Sequence, residues 1–211
     1  MRRVRVKVCG ITRQSDAALA VALGADALGF IFWPRSPRAI TPATAREIHA
    51  QLPPLVTRVG VFVDSSPDDV AAAVLEAGLD AVQLHGDESA ADYSGVGARV
   101  IRVAALADDA SVEQAMAWPF AVTPLVDAVD RERRGGTGMV ADWSRAARLA
   151  AARPIILAGG LTAANVGAAI AAVHPWGIDV SSGVEDSPGL KSPTRLREFF
   201  NSLAAAQREE V

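Results

Sequence analysis

Eight short runs of β-branched and apolar residues recur along this 211-residue chain at intervals of about 25 residues, with alanine-rich stretches of helical period between them. The runs cover residues 4–9, 27–32, 58–63, 81–85, 100–104, 121–127, 154–158 and 177–181. Each interval has room for one strand, a short loop and a helix of about three turns. Repetition of such a unit predicts an α/β fold with a parallel sheet covered by helices. Eight repeats favour closure into a (β/α)8 TIM barrel over an open, doubly wound sheet. The open sheet would carry a glycine-rich fingerprint after its first strand, where this chain reads Cys9-Gly10-Ile11-Thr12. Helix starts agree with the phasing: Thr41-Pro42, Ser66-Pro67 and Ser192-Pro193 each pair an N-cap hydroxyl with a proline suited to the first turn. Asp68 and Asp69 then lie where the helix dipole favours negative charge. No linker or low-complexity tract interrupts the pattern, so residues 1–211 read as one domain with short loops and a fraying end at 207–211.

Half of the residues are apolar, enough for a continuous core without staples. Cys9 is the only cysteine, which excludes an intrachain disulfide and any metal cage built on several thiolates; a reducing cytoplasm is the expected location. The formal charge is −3 with both signs interspersed, so a small molecule is expected as partner rather than nucleic acid. The basic first residues lack a following apolar segment and no run of 18 uncharged apolar residues occurs, which argues against secretion and membrane insertion. Arg131, Arg133 and Arg134 read as a solvated loop, with an anion pocket as the alternative. Oligomeric state is left open.

In a parallel barrel the active site lies at the carboxyl ends of the strands. Polar residues fall there repeatedly: Lys7 and Cys9 two apart on the first run, Gln83 and His85 on the fourth, Asp179 and Ser181 on the eighth, and Asp127 at the end of the sixth. Each pair shares one face of its strand, while Val4, Val6 and Val8 take the helix-facing side. Singly, Cys9 reads as a small buried hydrophobe, His85 as a satisfied core histidine, and Asp127 or Asp179 as a helix cap. Together they assemble a thiol, an amine, an imidazole and two carboxylates at one end of a barrel. Nineteen of the basic residues are arginine and only Lys7 and Lys191 are lysine, a hint that those two places need a compact ammonium.

The loops after runs seven and eight read Ala158-Gly159-Gly160 and Ser181-Ser182-Gly183. Barrels often hold phosphate there, with backbone N–H groups and a short helix N-terminus as donors, so these residues are the expected phosphate site. The loop Trp33-Pro34-Arg35-Ser36-Pro37-Arg38 is stiffened by prolines and charged by two guanidiniums, which suits a carboxylate. The substrate expected from these two loops carries a phosphate at one end and an acid at the other.

Lys7-Val8-Cys9-Gly10-Ile11-Thr12 resembles the opening motif of the phosphoribosylanthranilate isomerases. Gly29-Phe30-Ile31-Phe32 with Ser36-Pro37-Arg38, Val59-Gly60-Val61-Phe62-Val63, Val82-Gln83-Leu84-His85-Gly86, Val126-Asp127-Ala128, Gly135-Gly136-Thr137-Gly138, Leu157-Ala158-Gly159-Gly160-Leu161 and Asp179-Val180-Ser181-Ser182-Gly183-Val184-Glu185 follow in the family's order. The resemblance implies a cofactor- and metal-free Amadori rearrangement in tryptophan biosynthesis, N-(5-phosphoribosyl)anthranilate going to the 1-deoxyribulose 5-phosphate derivative. It implies Asp127 as general acid, Cys9 as general base and Arg38 as partner of the anthranilate carboxylate. Lys7, Gln83, His85 and Asp179 are then expected to face substrate, with Lys7 favouring the Cys9 thiolate and burial raising the Asp127 pKa. Two rivals stand beside this reading: a Schiff-base barrel using Lys7 as nucleophile, and a non-catalytic barrel that binds a phosphorylated metabolite.

Overall fold

In the computed structural model, which describes residues 3–127 and 143–209, eight parallel strands close into a barrel in chain order, with β1 hydrogen-bonded to both β2 and β8. The strands are β1 (Arg5–Cys9), β2 (Ala27–Ile31), β3 (Thr57–Phe62), β4 (Ala81–Leu84), β5 (Arg99–Ala104), β6 (Val122–Val126), β7 (Ile156–Leu157) and β8 (Gly177–Val180). The helices are α1 (Gln14–Leu23), α2 (Pro42–His49), α3 (Pro67–Ala77), α4 (Asp109–Met116), α5 (Trp143–Ala152), α6 (Val166–Val173) and α7 (Pro193–Glu209). Every expected strand is present, although β7 is cut to two residues between Pro154 and the left-handed pair Gly159 and Gly160 (φ +90° and +63°), which cannot continue an extended chain.

The fourth unit departs from the expected pattern. Between β4 and β5 the chain makes a single 3-10 turn, Ala90–Tyr93, in place of a three-turn helix. Its surroundings explain this: Gly86, Ser89, Ser94, Gly95 and Gly97 crowd that short interval, and Gly97 has φ +78°. A second departure follows β8, where a hairpin of β9 (Glu185–Ser187) and β10 (Leu190–Lys191) precedes α7.

The core has two layers. Val4, Val6 and Val8 pack outward with Leu28, Phe30 and Phe199 between the barrel and its helices, as the alternation on β1 requires. Inside, Val59, Ala81, Ile101, Leu125, Ile156 and Ala158 form a smaller cluster. Each large side chain fully buried in these layers contributes roughly 1.5–3 kcal/mol. Two of the anticipated caps are made by side chains: Thr41 accepts from the Thr44 N–H at 3.1 Å and Ser66 from the Asp69 N–H at 3.2 Å. Such caps contribute about 1 kcal/mol each. Among the described residues no helix is long and apolar enough to cross a membrane.

Candidate active site

The register of the first strand sets the chemistry at the top of the barrel. Lys7 lies opposite Asp179 across the β1–β8 pairing, and Cys9 lies opposite Gly29 across β1–β2. Both side chains point inward because Val6 and Val8 point outward. Lys7 Nζ donates to Asp179 Oδ1 at 2.9 Å, an ion pair only 4% and 10% exposed. Gly29 leaves the space they fill, since a Cβ there would stand 2.8 Å from Cys9 Sγ and 3.0 Å from Lys7 Nζ.

A cavity of about 140 Å³ opens beside this pair, and Cys9, Arg38, Gln83, His85, Asp127, Asp179 and Ser181 line it together with Trp33. Seven of the residues expected to act thus meet at one opening. Lys7 does not line it: the ammonium is buried and engaged by Asp179, with the Cys9 thiol also close enough to act on its charge. Gly159, Gly160, Ser182 and Gly183 lie outside the cavity wall, at the β7 and β8 loop ends beside it. The arginines 131, 133 and 134 fall outside the described residues.

Electrostatics around Cys9 depart from the expectation. Burial pushes the thiol pKa up, and although the Lys7 ammonium pulls it down, Asp179 pushes up again, so the net displacement is above an ordinary thiol. For Lys7, burial works against the charge, but Asp179 and Cys9 outweigh it and hold the ammonium above the usual lysine range. A lysine buried in an ion pair and absent from the cavity wall is poorly placed as a nucleophile, which weighs against Schiff-base chemistry at Lys7.

On the opposite wall Gln83 Nε2 meets His85 Nδ1 at 3.1 Å, and His85 Nε2 lies 3.7 Å from Asp127 Oδ2. Gln83 is buried, and among the described residues its Oε1 accepts no hydrogen bond, so an acceptor remains for a ligand donor. The loop bearing His85 is clasped by Glu88, which accepts from the N–H groups of Gly86 (2.7 Å) and Asp64.

The β7 and β8 loops pack backbone to backbone. A Cβ at Gly183 would stand 1.9 Å from the Leu161 carbonyl oxygen, so only glycine permits the approach. Asn165 stiffens the β7 loop by donating to the Gly160 carbonyl (2.9 Å) and accepting from the Thr162 N–H (2.8 Å). Ser181 precedes a single 3-10 turn, Ser182–Val184.

Arg38 reaches the cavity from the β2 loop over Gly10, whose φ of +75° and missing side chain make room: a Cβ there would meet Arg38 Cδ at 2.6 Å. Its guanidinium is already engaged, Nε with Glu185 Oε1 at 2.9 Å and Nη2 with Oε2 at 2.6 Å. Glu185 in turn accepts from Lys191 Nζ at 2.7 Å. Burial alone would raise the Glu185 pKa, but Arg38 and Lys191 prevail and hold it below the usual carboxylate range. In the sequence Glu185 stands only inside a motif and Lys191 stands out only by its rarity; Pro188-Gly189 marks the turn of the hairpin that brings them here, but nothing local shows which arginine they meet.

Comparison with known proteins decides the family. The sequence profile described as N-(5'-phosphoribosyl)anthranilate (PRA) isomerase matches residues 6–202. The chain belongs to this family. It is 45% identical over 207 residues to the N-(5'-phosphoribosyl)anthranilate isomerase of Pelobacter propionicus, covering 98% of each chain. The crystal structure of phosphoribosyl anthranilate isomerase from Thermus thermophilus superposes with a TM-score of 0.87 at 42% identity, covering 96% of this chain and 99% of that one. A phosphoribosyl anthranilate isomerase in complex with reduced 1-(o-carboxyphenylamino)-1-deoxyribulose 5-phosphate superposes with a TM-score of 0.84 at 37% identity, again over 96% and 99%. Membership makes the chain an isomerase of tryptophan biosynthesis.

Proposed function

We propose that this chain isomerises N-(5-phosphoribosyl)anthranilate by acid–base catalysis, with Asp127 as the acid and Cys9 as the base. The observation that carries the reading is that a carboxyl group from β6 and a thiol from β1 line one cavity on different strands. The reaction needs two proton transfers at different atoms of one sugar. Asp127 gives its proton to the ring oxygen, the bond from that oxygen to C1′ breaks, and the anthranilate nitrogen lone pair closes a protonated imine. Cys9 thiolate then takes the proton from C2′. The C2′–H electron pair forms the C1′=C2′ bond of an enolamine, which gains a proton at C1′ and loses the hydroxyl proton to become the ketone. C1′ is reduced and C2′ oxidised, so the electrons balance within the substrate.

The raised thiol pKa leaves Cys9 mostly protonated in the free enzyme, and Lys7 partly offsets this. The first step helps further, because the imine it creates is cationic and favours a thiolate nearby. Lys7 and Asp179 thus act on the base from below. Gln83 and His85 orient the acid side of the sugar. The phosphate is held between Gly159, Gly160 and the turn of Ser181, Ser182 and Gly183; close packing of these glycine loops and the absence of lysine or arginine from them favour backbone N–H donors. Arg38 takes the anthranilate carboxylate.

Turnover on phosphoribosylanthranilate generated in situ tests the assignment. Cys9→Ala and Asp127→Asn should each lower kcat by about 10²–10⁴-fold with KM little changed, as for groups acting in the transition state. A variant that keeps near-normal kcat loses its residue that role.

A further inference from the structure

Lys191 is fully buried, does not line the cavity and is one of only two lysines in the chain. Its Nζ donates to Glu185 Oε1 at 2.7 Å and to the Ser181 carbonyl at 3.2 Å. Glu185 occupies the Nε–Nη2 edge of Arg38, which leaves the outer Nη1–Nη2 edge as the one able to hold a second carboxylate bidentately. An Arg38–Glu185 pair alone is neutral. A substrate carboxylate arriving at its free edge would gain hydrogen bonds from the guanidinium while meeting the Glu185 charge just behind it.

We propose that Lys191 is a specificity-determining residue, which through Glu185 keeps this cluster at a net charge of +1 so that a correctly oriented Arg38 still attracts the substrate's carboxylate. The surrounding charges support the count. Asp16, which accepts from the Lys191 N–H, is paired with Arg13, and Asp179 is paired with Lys7, so both neighbouring carboxylates are offset by cations, while Arg195, which donates to the Glu185 backbone carbonyl, is exposed and screened by solvent. Glu185 supplies orientation and Lys191 restores the charge that orientation consumes. An ammonium suits the task because it fits a closed site between two oxygens, where a planar guanidinium would need more acceptors. The inference rests on the assignment of Arg38 to the anthranilate carboxylate.

The test measures binding of two probes by calorimetry: reduced 1-(o-carboxyphenylamino)-1-deoxyribulose 5-phosphate and its phenylamino counterpart lacking the carboxyl group. The readout is the ratio of their Kd values, which cancels changes common to both. Lys191→Gln keeps a donor for Glu185 but removes the charge, and it should shrink the preference for the acid about tenfold. Glu185→Gln with Lys191→Gln returns the cluster to the single charge of Arg38 and should recover most of that preference. A merely structural Lys191 would weaken both probes together and would not be rescued by a second buried substitution. Equal losses for both probes, or a double variant with the preference still collapsed, overturn the proposal; if Lys191→Gln does not fold, Lys191→Met takes its place with the same expected loss and the same refuting results. Arg38→Met separates the two readings: a preference that survives this change refutes the Arg38 assignment, whereas one lost in Arg38→Met but intact in Lys191→Gln refutes only the role of Lys191.

Discussion

Replacing Gly29 by alanine should disable the proposed base at a moderate cost in stability. Gly29 is buried within β2 and has no left-handed backbone, so its φ and ψ accept any residue and only space is at issue. The new methyl would stand 2.8 Å from Cys9 Sγ and 3.1 Å from Cys9 Cα. Against an ordinary carbon contact of about 3.5–4.0 Å, the thiol must retreat by roughly 0.7 Å, and rotating it does not relieve the clash with its Cα. The β1 and β2 backbones must part, and β1 carries Lys7, whose Nζ would be 3.0 Å from the same methyl, along with the thiol. Overpacking of this kind costs about 1–3 kcal/mol, which lowers Tm by about 2–4 °C per kcal/mol in a chain of this size. A displacement approaching 1 Å costs a catalytic group about 10²-fold, so kcat should fall by that order. Gly60→Ala is the control: a Cβ there is as crowded, at 2.5 Å from Leu79 Cδ1, but its nearest contacts are Leu79, Phe62 and Phe32. It should lose stability while keeping kcat. Steady-state turnover with thermal unfolding of both variants checks this, and a Gly29→Ala enzyme with kcat within about twofold of the parent would refute the placement of the base.

The pH dependence of kcat/KM should rise with pH through a value above that of an ordinary thiol, because burial raises the Cys9 pKa and only the thiolate is a base. Lys7→Met removes the main influence lowering that pKa and leaves Asp179 unpaired, so the rising limb should move to still higher pH; an unmoved limb means that Cys9 is not the group titrating. Gly160→Ala forces a side chain into a left-handed backbone at φ +63°, costing about 1–2 kcal/mol of stability in addition to raising KM and weakening inhibition by inorganic phosphate. A bulkier valine there, tolerable only at negative φ, should compromise folding itself. A sulfate-soaked crystal should show the anion between the β7 and β8 loops, and an anion found elsewhere with these loops empty would relocate the phosphate site.

The parts of this molecule that could be read from its sequence are those set by period and position. Strand alternation placed Lys7 and Cys9 on one face and Val6 and Val8 on the other, and strand-end polarity located Gln83, His85, Asp127 and Asp179 around one opening. What escaped depends on partners distant in the chain. Arg153 looks like a surface residue ending a helix, yet it is buried and donates to the carbonyls of Ala115, Trp118, Pro119 and Val122, tying the end of α4 and the loop after it to the end of α5. Glu185 and Lys191 have the same character. Neither alternation nor capping rules reveal that a hairpin folds them beneath an arginine 147 residues away from Glu185. The thiol pKa has the same character: the lowering effect of the Lys7 ammonium is legible in sequence, but the completeness of burial and the Asp179 charge that outweigh it belong to the closed barrel.

Closure of the barrel is therefore part of the chemistry and more than a support for it. Asp179 reaches Lys7 only because β8 returns to pair with β1, and Cys9 has room only because β2 presents a glycine at the matching register. A one-residue slip at either pairing would turn every inward residue of that strand toward the helices. The proposed base, its cation and its carboxylate thus share one seam, while the proposed acid approaches from β6 with His85 beside it. The two proton transfers proposed occur at different atoms of one ring, and two separate walls let the acid and the base each act on its own atom independently. A thiol beside the Asp127 carboxyl would lose that independence, since each ionisation would suppress the other.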